Sequence, residues 1–360
     1  MRETDPGKLA EKALRGERLN REEAARLYEE APFLDLGRLA DAARQRHHPD
    51  GVATYVVDRN INYTNVCTSR CRFCAFYRDP DAPDAYVLDR RTLYAKVAQT
   101  VALGGSGILL QGGLHPGLDL PWFEALLRDL RERFRVDLHC FSPPEVLHMA
   151  AVSGVSVTEC LRRLTAAGLT SLPGGGAEIL SDAHRRKVSP SKCSADAWLS
   201  VMETAHHLGL KTTATMMFGS GETLADRLAH LDRLRTLQDR TGGFVSFIPW
   251  TFQWPNTELG RTEGPFETGG MEYLRMVALS RLYLDNVRTV QASWVTMGLK
   301  IAQVALRFGA DDLGSVMIEE NVVAAAGAVN HATEAELRRL IADAGFTPAK
   351  RNSVHQRLGS

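Results

Sequence analysis

From residue 52 onward, apolar positions follow two alternating textures. Short runs rich in β-branched and apolar residues lie at 61–66, 107–110, 136–140, 170–172, 211–217, 244–250, 289–294 and 309–316, and each runs into glycine, proline or polar turn residues. Between them, stretches at 92–103, 122–134, 157–167, 195–208, 224–240 and 271–285 repeat apolar residues near i, i+3, i+4 and i+7, as at Leu126, Leu127 and Leu130. Strands alternating with helices of this length predict parallel βαβ units. Up to eight such units fit an α/β fold of the (β/α)8, TIM-like barrel type. An open doubly wound sheet would require a nucleotide-binding glycine fingerprint after the first strand. None follows 61–66, where three cysteines stand instead. Upstream, residues 7–46 are polar and helical in pattern, and Asn20 with Glu23 forms a capping-box start for 21–31. The expected organisation is a helical extension over 1–50, a barrel over 51–316 and a helical C-terminal segment over 317–360 packed on the barrel.

Composition narrows the partners. Of 360 residues, 44% are apolar and 24% charged, which is globular composition rather than a disordered or fibrous one. Lys plus Arg and Asp plus Glu both number 43, so the basic excess of a nucleic-acid binder is missing. No apolar stretch is long enough for a spanning helix. Residues 1–18 are charged and lack an apolar leader core, so a cytoplasmic protein without a membrane partner is expected.

Three of six cysteines, Cys67, Cys71 and Cys74, share one short stretch, while Cys140, Cys160 and Cys193 are scattered and read as small core hydrophobes. Structural zinc sites usually take two cysteine or histidine pairs, and no second pair exists here. Three thiolates on a four-iron cluster leave one iron open to a small molecule, as catalysis requires. In parallel barrels, catalytic groups sit at the C-terminal ends of strands. The polar sequence concentrated there includes Gln111-Gly112-Gly113, Ser142-Pro143, Gly174-Gly175-Gly176-Ala177-Glu178 and Thr251-Phe252-Gln253.

The spacing C-x3-C-x2-C with Phe73 before the last cysteine resembles the radical S-adenosylmethionine superfamily. The resemblance implies that Cys67, Cys71 and Cys74 hold a 4Fe–4S cluster whose open iron chelates S-adenosylmethionine. It also implies a source of one electron from an external reductant and the formation of a 5′-deoxyadenosyl radical. Phe73 would pack beside adenine. Gln111, Gly112 and Gly113 match the glycine-rich second-strand motif for the methionyl amino group, although Leu114 stands where an acidic residue is usual. Ser142 joins the cofactor set at the next strand end. Glu178 would hold the ribose and Arg185 the methionine carboxylate.

Asn60-Ile-Asn-Tyr-Thr-Asn65 and Phe76-Tyr77-Arg78, which flank the cysteines, are similar to the menaquinone and deazaflavin branch. That branch includes aminofutalosine synthases and FO synthases. Thr212–Gly219 as a string, Phe247-Ile-Pro-Trp250, Gln291-Ala-Ser-Trp-Val-Thr296 and Ile318-Glu-Glu-Asn-Val322 resemble its cyclic dehypoxanthinyl futalosine synthase family. The implied substrate is dehypoxanthine futalosine, a ribose joined through a ketone chain to a benzoate. The implied reaction removes the ribose C4′ hydrogen, closes a ring onto the benzoate and releases one electron and one proton. Candidate substrate contacts are Trp250, Gln253, Asn256, Gln291, Trp294 and Thr296. Candidate bases are Glu319, Asp311 and His115, and the sequence does not choose among them.

Overall fold

The computed structural model describes residues 6–359; residues 1–5 of the expected N-terminal extension and Ser360 at the chain end lie outside it. Ten strands occur in chain order among the described residues: β1 Val52–Val56, β2 Asp58–Ile61, β3 Gly107–Leu110, β4 Asp137–Cys140, β5 Ser171–Leu172, β6 Lys211–Phe218, β7 Phe244–Thr251, β8 Thr289–Val290, β9 Asp312–Ser315 and β10 Thr347–Lys350. β2 to β8 form one sheet in sequential order, and every neighbouring pair is parallel. A second sheet has the order β10-β1-β9, also parallel. The two join at both ends. β1 runs into β2 through the single residue Val57, and a parallel bridge links Gln291, just after β8, to Asp312 of β9. The curled sheet is therefore tied back to its start through β9 and β1, which makes it a TIM-like barrel.

The helices cover the outside because each presents an apolar stripe. Leu126, Leu127 and Leu130 of Leu120–Arg133 are fully buried with Ile108, Leu138 and Leu172 of the sheet. Burying each such side chain contributes about 1.5–3 kcal/mol. The N-terminal extension folds as helices Pro6–Leu14, Arg21–Glu30 and Phe33–His47. The second of these carries the expected Asn20–Glu23 capping box. Phe33–His47 packs on Gly270–Tyr283. The C-terminal part holds the helix Glu334–Asp343, but it also adds β10 beside β1, so it is not purely helical. Among the described residues, no helix is long and apolar enough to cross a membrane.

Several expected strands are shorter than their apolar runs, the first and the seventh among them. The first strand begins three residues earlier than 61–66 and stops at Ile61. Beyond it, Asn62, Thr64 and Asn65 donate to the carbonyls of Gln111, Tyr86 and Asp84. Side chains thus occupy acceptors outside the ladder and turn the chain into a loop. The run 289–294 keeps only Thr289–Val290 extended, and Trp294–Met297 is a helical turn.

Candidate active site

The cysteine loop leaves β2 and is pinned to the end of β3. Gly113 N–H donates to Thr64 O at 3.0 Å, and Thr68 N–H donates to Leu114 O at 3.1 Å. Gly113 has to be glycine for a steric reason, since a Cβ there would lie 2.1 Å from Val66 O and 2.8 Å from Cys67 Cβ. Cys71 is buried, and Cys67 and Cys74 are half-buried. Burial pushes the Cys74 thiol up to about 11, with Cys71 and Cys67 adding to the effect. Among the described residues, no three His, Cys, Asp or Glu side chains converge tightly enough for a single ion. Three thiols gathered in one loop, with no carboxylate among them, suit a cluster, in which each thiolate meets its own iron. Cys140 and Cys160 are fully buried in the apolar core, and Cys193 is half-buried beside Arg185.

The glycine-rich loop after β5 faces this loop. It is held by Gly174 N–H donating to Thr213 Oγ1 (3.0 Å), by Thr215 Oγ1 donating to Gly174 O (2.7 Å) and by Trp198 Nε1 donating to Gly175 O (3.0 Å). Glu178 follows in a left-handed backbone conformation (φ 40°) and is only 5% exposed. Its Oε1 accepts from Lys192 Nζ at 3.1 Å, while its Oε2 is buried without a hydrogen-bond partner. An orphaned carboxylate oxygen beside a glycine cradle is what a ligand hydroxyl would complete, so the residues present fit S-adenosylmethionine. Lys192 is the missed member of this group. Its ammonium lies 5.1 Å from the centre of the Phe73 ring. Burial opposes its charge, but Cys71 and Glu178 hold it above its ordinary value.

Arg185, expected to hold the methionine carboxylate, is engaged within the protein. All five of its N–H groups are engaged: Nε and Nη2 on Cys193 O, Nη2 also on Cys193 Sγ, and Nη1 on the carbonyls of Gly176 and Ala177. It braces the glycine loop from behind, and the carboxylate it faces is that of Glu178, whose Oε2 lies 3.6 Å from Nη1. Ser142 caps Pro143–Val152, and its Oγ donates to Glu145 Oε2 at 2.6 Å. Glu145 also accepts from Gly112 N–H at 2.9 Å. Ser142 and Gly112 thus bind each other's neighbourhood together rather than present donors.

Inside the barrel, beneath these loops, is a cavity of about 290 Å³. Of the expected contacts, Gln111, Trp250, Gln291, Trp294 and Thr296 line it. Gln253 and Asn256 do not, because they donate to Thr251 and to Ala325 O. The three candidate bases also lie outside the lining. Glu319 is clamped by Lys96 and Arg59. Asp311 is buried against Arg281 and His48; although burial opposes its ionisation, Arg281 holds its carboxyl at about 2. His115 shapes a turn, accepting from Gly117 N–H through Nδ1 and from His148 through its carbonyl. The titratable groups on the cavity wall are Asp58, His139, Glu320, Arg351 and His355. Burial raises the Glu320 carboxyl, which accepts from three successive backbone N–H groups, Val322 to Ala324. Polar residues inside strands and in a chain terminus gave no local signal for these.

A parallel barrel with a three-cysteine loop, a glycine cradle and a cavity within the barrel is the architecture of a radical enzyme that uses S-adenosylmethionine. Residues 61–234 match the Radical SAM superfamily and residues 241–358 match the CofH/MqnC C-terminal region. The chain belongs to the radical SAM superfamily, within its futalosine/menaquinone family. It is 45% identical to the cyclic dehypoxanthine futalosine synthase of Streptomyces coelicolor over 97% of this chain and 88% of that one. It is 39% identical to the aminodeoxyfutalosine synthase of Thermus thermophilus over 97% and 95%. In fold it is similar to crystalline methylornithine synthase (TM-score 0.73, 18% identity, covering 95% of this chain and 97% of that chain).

Proposed function

We propose that the protein cyclises dehypoxanthine futalosine to cyclic dehypoxanthinyl futalosine in the cytoplasm, primed by an external one-electron reductant. The observation that carries this reading is the 45% identity across nearly the whole chain to a relative of that name, through both the cluster half and the cavity half. When bound, the cluster and S-adenosylmethionine supply a 5′-deoxyadenosyl radical. Cys67, Cys71 and Cys74 would hold the cluster. Glu178 Oε2 would accept from the cofactor ribose, with Lys192 and Phe73 beside it. Trp250 and Trp294 line the cavity; the substrate bound there would have its sugar C4′ against the benzoate ring between them. Holding reacting atoms at near-attack distance contributes several kcal/mol, up to about 7–11. In the substrate, the C4′–H bond breaks and a C4′–aryl bond forms. The ring carbon then gives up one proton to a base and one electron to a one-electron acceptor, so the product is two hydrogens lighter.

Substrate deuterated at C4′ tests this. The label should appear in free 5′-deoxyadenosine, alongside a product lighter by two hydrogens. The second reading, adenosyl addition as in aminodeoxyfutalosine synthase, is favoured only by the 39% identity to that relative. It would leave the adenosyl group in the product and release no free deoxyadenosine.

A further inference from the structure

The closed end of the cavity is built by the C-terminal segment. β10 pairs with β1, and the chain then turns under the barrel, so that Arg351, Ser353 and His355 line the cavity. Ser353 N–H donates to Asp137 Oδ2 at 3.0 Å, which anchors it at the N-terminal end of β4. The register places Asn60, Leu109 and His139 in one row across β2, β3 and β4. This row lies two residues, or roughly 6–7 Å, beneath Gln111 at the rim. Ser353 sits lower, beside the row of Gly107 and Asp137.

Two buried polar atoms here have no partner. They are Asn60 Oδ1 and Ser353 Oγ, on residues each 6% exposed. His139 spends Nδ1 on Ser171 Oγ at 2.7 Å and has no hydrogen bond at Nε2. Buried polar groups are almost always paired, so orphans gathered on one cavity wall point to a ligand. The charge at this end selects the kind of ligand. Arg351 is bound to Asp312 through Nε (2.5 Å) and Nη2 (2.9 Å), and Asp58 lies close by. Two carboxylates against one guanidinium disfavour an anion, whereas neutral hydroxyls match an acceptor, a hydroxyl and an imidazole nitrogen.

We propose that Asn60, His139 and Ser353 form a hydroxyl-binding subsite that holds the sugar end of the substrate, which makes the C-terminal segment part of the active site. This rests on the cyclase reading above. The benzoate end then lies toward Trp250, away from the carboxylates.

The test measures binding of dehypoxanthine futalosine to the anaerobic, cofactor-loaded enzyme without reductant. It is repeated with an analogue whose sugar hydroxyls are replaced by hydrogen, and thermal unfolding is followed in parallel. Ser353→Ala removes an unpaired hydroxyl, so its melting temperature should be unchanged or higher, while Kd for the substrate rises about 3- to 10-fold. Asn60→Leu should act the same way on Kd. Both variants should lose much of the wild type's preference for the hydroxylated substrate over the analogue. If the wild type binds and converts the substrate but both variants keep its Kd and its preference, the subsite is wrong and the cyclase reading stands. If the wild type neither binds nor converts it, the cyclase reading fails and the subsite fails with it.

Discussion

Lys192 pairs with Glu178 in the segment between β5 and β6, with Nζ 3.1 Å from Oε1, and joins it to the cysteine loop, whose Phe73 ring it covers. The pair is almost sealed from solvent, with side-chain exposures of 12% and 5%. Only one oxygen of Glu178 is hydrogen-bonded; the other lies 3.6 Å from Arg185 Nη1 without a hydrogen bond.

Glu178→Ala should therefore weaken S-adenosylmethionine binding by about 10- to 150-fold, the range for a lost charge-assisted hydrogen bond. Lys192→Met should weaken it in the same direction, since it leaves Glu178 buried beside Arg185 at 3.6 Å with no hydrogen bond to that guanidinium. Iron content should stay intact in both. Equilibrium dialysis with labelled cofactor measures this, and wild-type affinity in both variants would remove the pair from the cofactor site.

Arg185 should matter to the stability of the glycine loop. Its donors hold three backbone carbonyls and a sulfur in the 3%-exposed interior behind the glycine loop. Arg185→Lys cannot reproduce that fork, and it should cost about 1–3 kcal/mol of stability for each carbonyl left unpaired. Denaturant unfolding reads this directly. Unchanged stability with a selective loss of cofactor affinity would restore Arg185 to the carboxylate role.

Why the grouping of the cysteines is legible in the sequence and the surroundings of Arg185 are not is a matter of range. The cysteines share one loop, so their grouping is written in adjacent sequence. The helical stripes, such as Leu126, Leu127 and Leu130, are equally local. What Arg185 and Asp311 face depends on partners brought in by the fold, namely the carbonyls of Gly176 and Cys193 for one and Arg281 for the other. Asn60 lies just before the expected first strand and His139 within the run 136–140, and the fold brings both to the cavity wall. β1 and the cavity floor were illegible for the same reason, since Val52 pairs with Thr347, nearly three hundred positions away.

Acid should destabilise the protein well before its carboxylates titrate. Burial holds His139, His230 and His355 at about 3, far below a free histidine. Between pH 6.5 and 3 the unfolded chain takes up protons that the folded one refuses, so stability falls as pH falls through this window. Each group contributes about 1.4 kcal/mol per pH unit. His230 is fully buried, accepts from Leu180 N–H and lies off the cavity lining, so His230→Gln isolates one of them. Urea unfolding at pH 7, 6 and 5 should give a slope shallower by about that amount in the variant. Parallel slopes would mean that this histidine is not held neutral.

The last prediction separates a glycine needed for packing from one that merely bends. Gly113 lies against the cysteine loop, and an added methyl would strike Val66 O at 2.1 Å and Cys67 Cβ at 2.8 Å. Backbone cannot yield as a flexible side chain can, so Gly113→Ala must push Cys67 away from Cys71 and Cys74. Iron and sulfide incorporation should then fall toward that of Cys67→Ala, Cys71→Ala and Cys74→Ala, even though no ligand has been removed. Gly117→Ala is the comparison, because its added Cβ meets only the His115 ring, at 3.4 Å. It should load iron like the wild type, as should Cys140→Ala, Cys160→Ala and Cys193→Ala. Reconstitution under anaerobic conditions, with iron counted per chain and the visible spectrum recorded, decides the matter. Full iron loading in Gly113→Ala would show that the β3 end does not set the position of the cysteine loop.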